Sequence, residues 1–370
     1  MSEGAAGARI HVVRFAPAKL NLTLAVVGRR EDGFHDLHSI MVPLSLGDAL
    51  TVATRPGRGA RDSLRVTGLS LSSAPDNLVV RAIAAARAAV ARTWPGTPTP
   101  PPALAARLAK RIPVAAGLGG GSSDAAAAID ASLAAWVAGL APAERAELAA
   151  SLGSDVPFFL AGGAALVTGR GEFVEPLPDI EGAPPAVLLV TPGLPVATAS
   201  VFAAYEGGAR RGTSRGAASP ALEISQRLAS AMRTGLSAAD LLDEAAELAR
   251  ANDLATAAAS VAPGLGAFAT ALEKLVGRPV CQSGSGPTLW SLYATLAEAR
   301  KAVRFVRLAA VNGTLPAVGS GEPFVAATTI AGRSTPTAVS PPDGTTGTIR
   351  PRTVHNGLDA AEHGPDEPAG

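Results

Sequence analysis

The chain has 370 residues, of which 47% are hydrophobic and 17% are charged, values typical of a globular protein with room for two domains. Its 32 basic and 31 acidic residues give a formal net charge of +1, which excludes a strong field that would attract nucleic acid or an anionic membrane. The single cysteine, Cys281, excludes an internal disulfide framework and a cysteine-based zinc site.

The sequence also favours a cytoplasmic protein. Residues 182–205 carry no charge, but four prolines interrupt this stretch, so it does not predict a membrane-spanning helix. Residues 1–8 include a glutamate and lack an apolar core, which argues against a signal peptide. We expect these eight residues to form a disordered N-terminus.

In the first half of the chain, β-branched and apolar runs predict strands, and alanine-rich or amphipathic runs predict helices. The predicted strands lie at residues 11–15, 20–27, 37–44, 49–54, 64–67 and 104–112, with a break at Pro17. The predicted helices lie at residues 78–94, 123–136 and 142–151. Asp76 or Asn77 suits the N-cap of the first helix, and Pro142 suits the first turn of the third.

The second half repeats this succession of strands and helices, so we expect an α+β protein with domains at residues 9–165 and 166–332. Strands are predicted at residues 164–174, 186–191, 281–293 and 324–330, the third as a strand–turn–strand. Helices are predicted at residues 222–251, interrupted at Gly235, and at 265–276 and 296–308. Residues 208–220 are predicted to be a mobile loop, and residues 333–370, with six prolines, a disordered tail.

The most informative segment is residues 113–127, Pro-Val-Ala-Ala-Gly-Leu-Gly-Gly-Gly-Ser-Ser-Asp-Ala-Ala-Ala. Glycines let the backbone approach a ligand closely, and the alanines that follow favour a helix. A glycine loop that opens a helix directs unpaired N–H groups and the positive end of the helix dipole at an anion such as phosphate. The segment is neither a Walker A loop, because no Gly-Lys dipeptide occurs in the chain, nor the G-x-G-x-x-G dinucleotide motif. A flexible turn before a packed helix is the simpler alternative.

Two other segments carry side chains suited to phosphoryl transfer. Lys19 and Asn21 alternate with leucines, so we expect both on one face of a strand, where a lysine could offset charge on a transferring phosphoryl group. Asp155 precedes the apolar turn Val-Pro-Phe-Phe, and beside a lysine it could accept a proton from a substrate hydroxyl. A solvated lysine and a capping aspartate are the simpler alternatives.

An aromatic–histidine pair and a second glycine-rich turn are further candidates. Phe34 could stack on a base and His35 could hydrogen-bond to its edge, whereas burial of Phe34 in the core is the alternative. His35 and His38 form a His-x-x-His pair without a third ligand nearby, so the metal ligands stay unassigned. Residues 283–286, Ser-Gly-Ser-Gly, form a turn between two predicted strands that could close over a substrate. Cys281 is expected to pack in the core.

Together these segments resemble the GHMP kinases (galactokinase, homoserine kinase, mevalonate kinase and phosphomevalonate kinase), and the resemblance covers residues 9–330. The matching segments are Ala16-Pro-Ala-Lys-Leu-Asn-Leu, Arg30-Glu-Asp-Gly-Phe-His, Asn77-Leu-Val-Val-Arg-Ala, Lys110 to Ala126, Gly153-Ser-Asp-Val-Pro-Phe-Phe and Ser283-Gly-Ser-Gly-Pro-Thr. The resemblance implies a two-lobed α+β fold, with an N-terminal lobe like ribosomal protein S5 domain 2 and a C-terminal ferredoxin-like lobe. It also implies a kinase that uses ATP and Mg²⁺ to phosphorylate a cytidine diphosphate-linked alcohol in isoprenoid precursor synthesis.

The same resemblance implies roles for individual residues in the cleft between the lobes. Asp155 is the implied general base and Lys19 its charge partner. The implied ATP-binding residues are Asn77, Pro113, Gly117, Leu118, Gly119, Gly120, Gly121, Ser122 and Ser123. The implied substrate-binding residues are Asn21, Phe34, His35, Thr198, Phe202, Gly284, Ser285 and Gly286. Phe34, His35 and Phe202 would hold the cytosine, with Phe202 as the second stacking wall.

Two alternatives stay open: a sister kinase that acts on another alcohol, such as homoserine or phosphomevalonate, and a nucleotide-binding module without catalysis. Recognition of cytosine by Phe34 and His35 would exclude the first, and a dependence of turnover on Asp155 would exclude the second. For the assembly we expect a monomer or a weak homodimer, with neither nucleic acid nor membrane as a partner.

Overall fold

The computed structural model describes residues 10–333, apart from residues 56, 58, 70–75, 94–100 and 210–218. The predicted disordered N-terminus, most of the predicted mobile loop and the predicted tail after Arg333 lie outside the described residues. All described residues belong to the same structural unit.

The first half of the described chain forms a seven-stranded sheet with helices packed on it. Its strands are β1 (His11–Asn21), β2 (Ala25–Arg29), β3 (His35–Arg55), β4 (Ser63–Gly68), β5 (Ala103–Lys110), β6 (Ala165–Gly169) and β7 (Phe173–Pro176). Its helices are α1 (Leu78–Thr93), α2 (Gly120–Trp136), α3 (Pro142–Leu152) and α4 (Val156–Ala161). The strand order is β4-β5-β3-β6-β7, and β1 and β2 also pair with the long β3. Strands β4 and β5 run parallel, whereas the other pairs are antiparallel.

The second half of the described chain forms a four-stranded antiparallel sheet in the order β11-β8-β10-β9. Its strands are β8 (Ala186–Gly193), β9 (Cys281–Gln282), β10 (Leu289–Tyr293) and β11 (Gly321–Thr329). The helices are α5 (Thr198–Ala209), α6 (Pro220–Thr234), α7 (Ala238–Asp243), α8 (Ala245–Leu248), α9 (Ala255–Val261), α10 (Leu265–Val276) and α11 (Leu296–Val311).

Several strand predictions are wrong. The predicted strand 20–27 is divided between β1, which ends at Asn21, and β2, which begins at Ala25, and the pairing explains three other differences. Strand β1 runs through Pro17, because a register shift against β3 between Pro17 and Lys19 absorbs the residue that cannot donate to the ladder. The predicted strands 37–44 and 49–54 are one continuous strand, since β1 pairs with the residues between them. The predicted strand 164–174 is instead the hairpin β6–β7, which turns at Gly169 and Gly171 with φ of 66° and 123°.

The helices differ less from prediction. Helix α2 begins at Gly120, because Gly119 adopts the left-handed conformation with φ of 68° and ends the loop there. Helices α5 and α9 have no predicted counterpart, α4 replaces the predicted apolar turn after Asp155, and α7 and α8 replace the end of the predicted helix at 222–251. Within the described residues no single helix is long and apolar enough to cross a membrane; α9 and α10, bent by 120° at their junction, meet that test only as a pair.

The two sheets share an apolar core. Leu20 of β1 and Val42 of β3 pack in one cluster with Val187 of β8 and Trp290 of β10. Cys281 lies in the same cluster, and burial raises the pKa of its thiol, as expected for a packing role. A separate cluster lies between α1, α2 and the first sheet. The shared core fixes the end of β1 and the first half of β3 against the second sheet, where the site lies.

Candidate active site

A cavity of about 1050 Å³ gathers residues from both halves of the described chain. The predicted site residues that line it are Lys19, Asn21, Phe34, His35, Asn77, Pro113, Gly117, Leu118, Gly119, Gly120, Gly121, Ser122, Asp155, Thr198, Phe202, Gly284 and Ser285. Two predicted site residues, Ser123 and Gly286, do not line the cavity. The Ser123 side chain is buried, and a Cβ on Gly286 would collide with the backbone of Gly117.

The glycine loop ends where helix α2 begins. Gly117 and Gly119 have φ of 79° and 68°, a region that favours glycine. No side chain among the described residues caps α2, so the N–H groups of its first turn are left for water or a ligand. A Cβ on Gly119 would lie 2.9 Å from Lys19 Cγ and 2.8 Å from Phe159 Cζ. The loop therefore has a backbone geometry that suits an anion, and the Lys19 side chain lies directly against it.

Lys19 is a buried cation with two polar partners. Its side chain is 5% exposed, and its Nζ lies 3.8 Å from Asp155 Oδ2. Nζ donates to Asn21 Oδ1 at 2.6 Å, which confirms that Lys19 and Asn21 share one face of β1. Burial lowers the pKa of Lys19, and the attraction of Asp155 opposes that shift.

Asp155 occupies the N-cap position of α4. Its carboxylate makes no capping hydrogen bond to a described residue, so the capping alternative does not hold. The side chain is 31% exposed, lines the cavity and lies beside the Lys19 ammonium. A carboxylate that is accessible from the cavity and lies next to an ammonium can accept a proton from a bound hydroxyl.

The second glycine-rich turn is joined to both the loop and β1. The Ser283 hydroxyl donates to the Gly117 carbonyl oxygen at 2.9 Å and accepts from the Asn21 backbone N–H at 3.4 Å. A Cβ on Gly284, where φ is 60°, would lie 3.1 Å from Asn21 Oδ1. Ser285 donates to the Thr198 hydroxyl at 2.9 Å. The turn therefore closes the second-sheet side of the cavity, next to Lys19 and Asn21.

An aromatic group lines another part of the cavity. The His35 ring stacks on Phe202 with centroids 5.0 Å apart and 21° between the planes. Phe34 is 49% exposed, so the alternative of a core role for it is wrong. His35 Nε2 lies 3.3 Å from Glu206 Oε1, which also pairs with Arg29 Nε at 3.1 Å. A proton on Nε2 directed at Glu206 leaves Nδ1 of the ring as a hydrogen-bond acceptor.

Charged residues that the sequence analysis did not assign also line the cavity. These are Arg29, Asp76, Lys110, Asp124, Arg170 and Glu206. Lys110 and Asp124 flank the glycine loop in the sequence, a position that could have drawn attention to them. Arg29, Arg170 and Glu206 belong to no motif, and only the fold brings them to the cavity.

Lys110 and Asp124 form a buried charge cluster next to the loop. Lys110 Nζ lies 2.6 Å from Asp124 Oδ2 and also pairs with Asp48. Burial raises the pKa of Asp124 to about 7, although the nearby Lys110 opposes that shift.

The architecture, with a glycine loop opening a helix beside a lysine and an aspartate, defines a GHMP kinase. The family model for the N-terminal domain of GHMP kinases matches residues 77–163. A protein of Pelotomaculum thermopropionicum named 4-diphosphocytidyl-2-C-methyl-D-erythritol kinase is 38% identical over 297 residues, covering 80% of this chain and 94% of the relative.

The solved structures agree with this relationship. A crystal structure of 4-(cytidine 5'-diphospho)-2C-methyl-D-erythritol kinase is 30% identical, with a TM-score of 0.62 over 86% of this chain and 100% of that one. The homoserine kinase of Cytophaga hutchinsonii shares the fold, with a TM-score of 0.57 at 17% identity over 89% of this chain and 97% of that one. The chain therefore belongs to the 4-diphosphocytidyl-2-C-methyl-D-erythritol kinase family. The predicted two-lobed α+β fold is confirmed.

Proposed function

We propose that this chain transfers the γ-phosphate of ATP to the 2-hydroxyl of 4-diphosphocytidyl-2-C-methyl-D-erythritol, giving the 2-phosphate and ADP, in isoprenoid precursor synthesis. One observation carries the proposal: the Lys19 ammonium and the Asp155 carboxylate lie 3.8 Å apart in the cavity that the glycine loop lines. The family relationship supports the same substrate.

The loop and Lys19 bind and neutralise the phosphates. Main-chain N–H groups from Gly117 to Ser122 surround the triphosphate at the positive end of α2. Lys19, which lies against Gly119, offsets the negative charge of the transferring group. Phosphoryl transfer needs little covalent help from the protein, so positioning and charge stabilisation supply most of the catalysis.

Asp155 acts as the general base. It accepts the proton of the substrate 2-hydroxyl as that oxygen attacks the γ-phosphorus and the bond to the ADP oxygen breaks. Lys19 Nζ, held by Asn21 Oδ1 at 2.6 Å, stabilises the charge that develops between the two oxygens. Asn21 therefore orients the lysine, and its position in the cavity also suits contact with the alcohol.

The residues fit a magnesium ion carried mainly by the nucleotide. Among the described residues, no group of three or more His, Cys, Asp and Glu side chains could hold a metal. Mg²⁺ commonly rests on phosphate and water oxygens with few protein ligands, and the Ser122 hydroxyl lines the cavity next to the loop. When bound, the ion neutralises phosphate charge.

The aromatic group suits the cytosine. Phe34 and Phe202 offer flat surfaces for stacking, and His35 Nδ1, with Nε2 directed at Glu206, can accept a hydrogen bond from the cytosine amino group. Uracil has a carbonyl at that position and cannot donate there. We therefore expect the site to select the cytidine-linked alcohol over its uridine analogue.

Purified protein with ATP and Mg²⁺ should be given a panel of alcohols, and ADP release measured for each. The panel contains 4-diphosphocytidyl-2-C-methyl-D-erythritol, its uridine analogue, homoserine and phosphomevalonate. We expect the cytidine compound to give the highest kcat/KM and a 2-phosphate product by mass spectrometry and NMR. A higher kcat/KM with homoserine or phosphomevalonate, or no ADP release with any compound, would overturn the proposal.

A further inference from the structure

Lys110 is a buried cation that the proposed mechanism does not use. It is the last residue of β5 and lies on the same inward face as Leu108. The strand alternates buried and less buried residues, so Lys110 places an ammonium at a position where an apolar side chain is expected. Its side chain is 2% exposed and pairs with Asp48 and Asp124, which are equally buried. Taking three charges out of water is costly even when they are paired, and packing alone does not require it.

Asp48 connects Lys110 to the beginning of the glycine loop. Its side chain, on β3, is fully buried. Besides pairing with Lys110 through Oδ2, it accepts hydrogen bonds through Oδ1 from the backbone N–H groups of Arg111 and Ile112, the second at 2.9 Å. These two residues join β5 to Pro113. Asp48 therefore fixes the point at which the chain enters the loop.

Asp124 connects the same ammonium to the end of the loop. It is the fifth residue of α2, directly after the first turn, and its Oδ2 accepts from Lys110 Nζ at 2.6 Å. A Cβ on Gly120 would lie 3.3 Å from Lys110 Nζ, so the ammonium lies directly against the turn whose N–H groups point at the cavity. Both ends of the loop are thus tied to one buried atom.

We propose that Asp48, Lys110 and Asp124 form a positioning network that sets the spacing between the two ends of the glycine loop and so aligns its N–H groups with the phosphates of ATP. The inference rests on the proposed use of ATP. Because burial raises the pKa of Asp124 to about 7, the network carries a net charge between 0 and −1 near neutral pH, so its charge alone would not attract phosphate. It acts on the nucleotide through the position of the loop.

The test uses the fact that a charge effect and a positioning effect change the affinity for ADP in opposite directions. Asp48→Asn removes a negative charge, so electrostatics alone would tighten ADP binding, whereas loss of positioning weakens it. We expect the Kd for ADP, measured by calorimetry, to rise about tenfold to a hundredfold, the loss expected when a main-chain hydrogen bond to a charged phosphate is no longer made. The KM for ATP should rise with it while the KM for the alcohol stays within about twofold, and amide hydrogen exchange in residues 113–122 should become faster.

Asp130→Asn is the matched control. Asp130 lies on α2, the helix that carries Asp124, but it pairs with Arg145 and not with Lys110. We expect it to leave the Kd for ADP and the exchange of the loop unchanged. An unchanged or lower Kd in folded Asp48→Asn, or an equal loss in the control, would overturn the inference.

If Asp48→Asn fails to fold, Lys110→Met is measured in the same way, and an unchanged Kd for ADP in that variant overturns the inference. The wild-type protein separates the two proposals. A wild type that binds ADP without phosphorylating the alcohol overturns the proposed function alone. A wild type that does not bind ADP overturns both.

Discussion

Lys19 is the residue of the site whose burial most clearly opposes its charge. Its side chain is 5% exposed, and burial lowers its pKa, so the fold holds an ammonium in a place that disfavours the charge. Asn21 and Asp155 offset that cost by a hydrogen bond of 2.6 Å and an ion pair of 3.8 Å. A costly charge that faces a cavity is common at sites kept for function rather than for stability.

We predict that Lys19→Met lowers kcat by about 10²- to 10³-fold, because it removes a donor aimed at the charge that develops during transfer. Steady-state kinetics with saturating ATP and alcohol would measure this. Far-UV circular dichroism should show the fold of the wild type. A kcat within about fivefold of the wild type would show that Lys19 has no part in the reaction.

The lowered pKa of Lys19 also predicts that the stability of the protein depends on pH. In the folded protein Lys19 has a pKa below the 10.5 of the unfolded chain, so between these two values the unfolded state binds more protons. The stability of the wild type should therefore rise with pH in that window relative to Lys19→Met, which lacks the group. Thermal melts of both proteins between about pH 7 and 10 should show that the Tm of the wild type minus the Tm of Lys19→Met increases with pH. The opposite trend would mean that the folded protein favours the charged amine.

Among the secondary-structure elements, the loop and the start of α2 form the part of the site that the sequence predicts best. Glycines at positive φ and a following alanine helix have direct local causes, and the structure has them at Gly117 and Gly119. By contrast, the continuous β3 and the passage of β1 through Pro17 depend on pairing between distant residues. Local pattern alone could not predict these features.

We predict that Gly119→Val abolishes detectable ATP binding. A β-branched residue disfavours φ of 68°, and a Cβ there would press on Phe159 and Lys19 at 2.8 and 2.9 Å, so the loop has to move. Calorimetry with ADP measures the loss. Gly139→Ala is the control, because a Cβ at Gly139 meets nothing within 4 Å, and it should bind like the wild type. Normal ADP affinity in Gly119→Val would show that the loop conformation does not determine binding.

For the protein as a whole, the site exists because two sheets share one core and one cavity. The motifs on β1, α2 and α4 could be assigned separately from the sequence, since each carries its own chemistry. The pairing of His35 with Glu206 and of Lys110 with Asp48 could not, because Glu206 and Asp48 lie far along the chain from their partners and belong to no motif. Sequence therefore predicts the reacting groups, and only the fold reveals the residues that position them.

We predict that Phe34→Ala and His35→Ala each raise the KM for the cytidine-linked alcohol by about tenfold or more, as expected when a stacking surface or a base contact is lost, and leave the KM for ATP within about twofold. Phe305→Ala is a control for the loss of an exposed aromatic ring, since Phe305 is 52% exposed and lies outside the cavity. Equal effects on both substrates, or none, would mean that this part of the cavity does not bind the cytosine.

The Asp155 carboxylate is the group without which the proposed reaction has no base. Asp155→Asn keeps the size of the side chain and leaves Lys19 in place, so the variant should fold and bind ADP with a Kd within about twofold of the wild type. We predict that the rate of 2-phosphate formation, measured in a single turnover with bound ATP, falls by about 10²- to 10⁴-fold. A single-turnover rate equal to that of the wild type would contradict the mechanism proposed for this cavity.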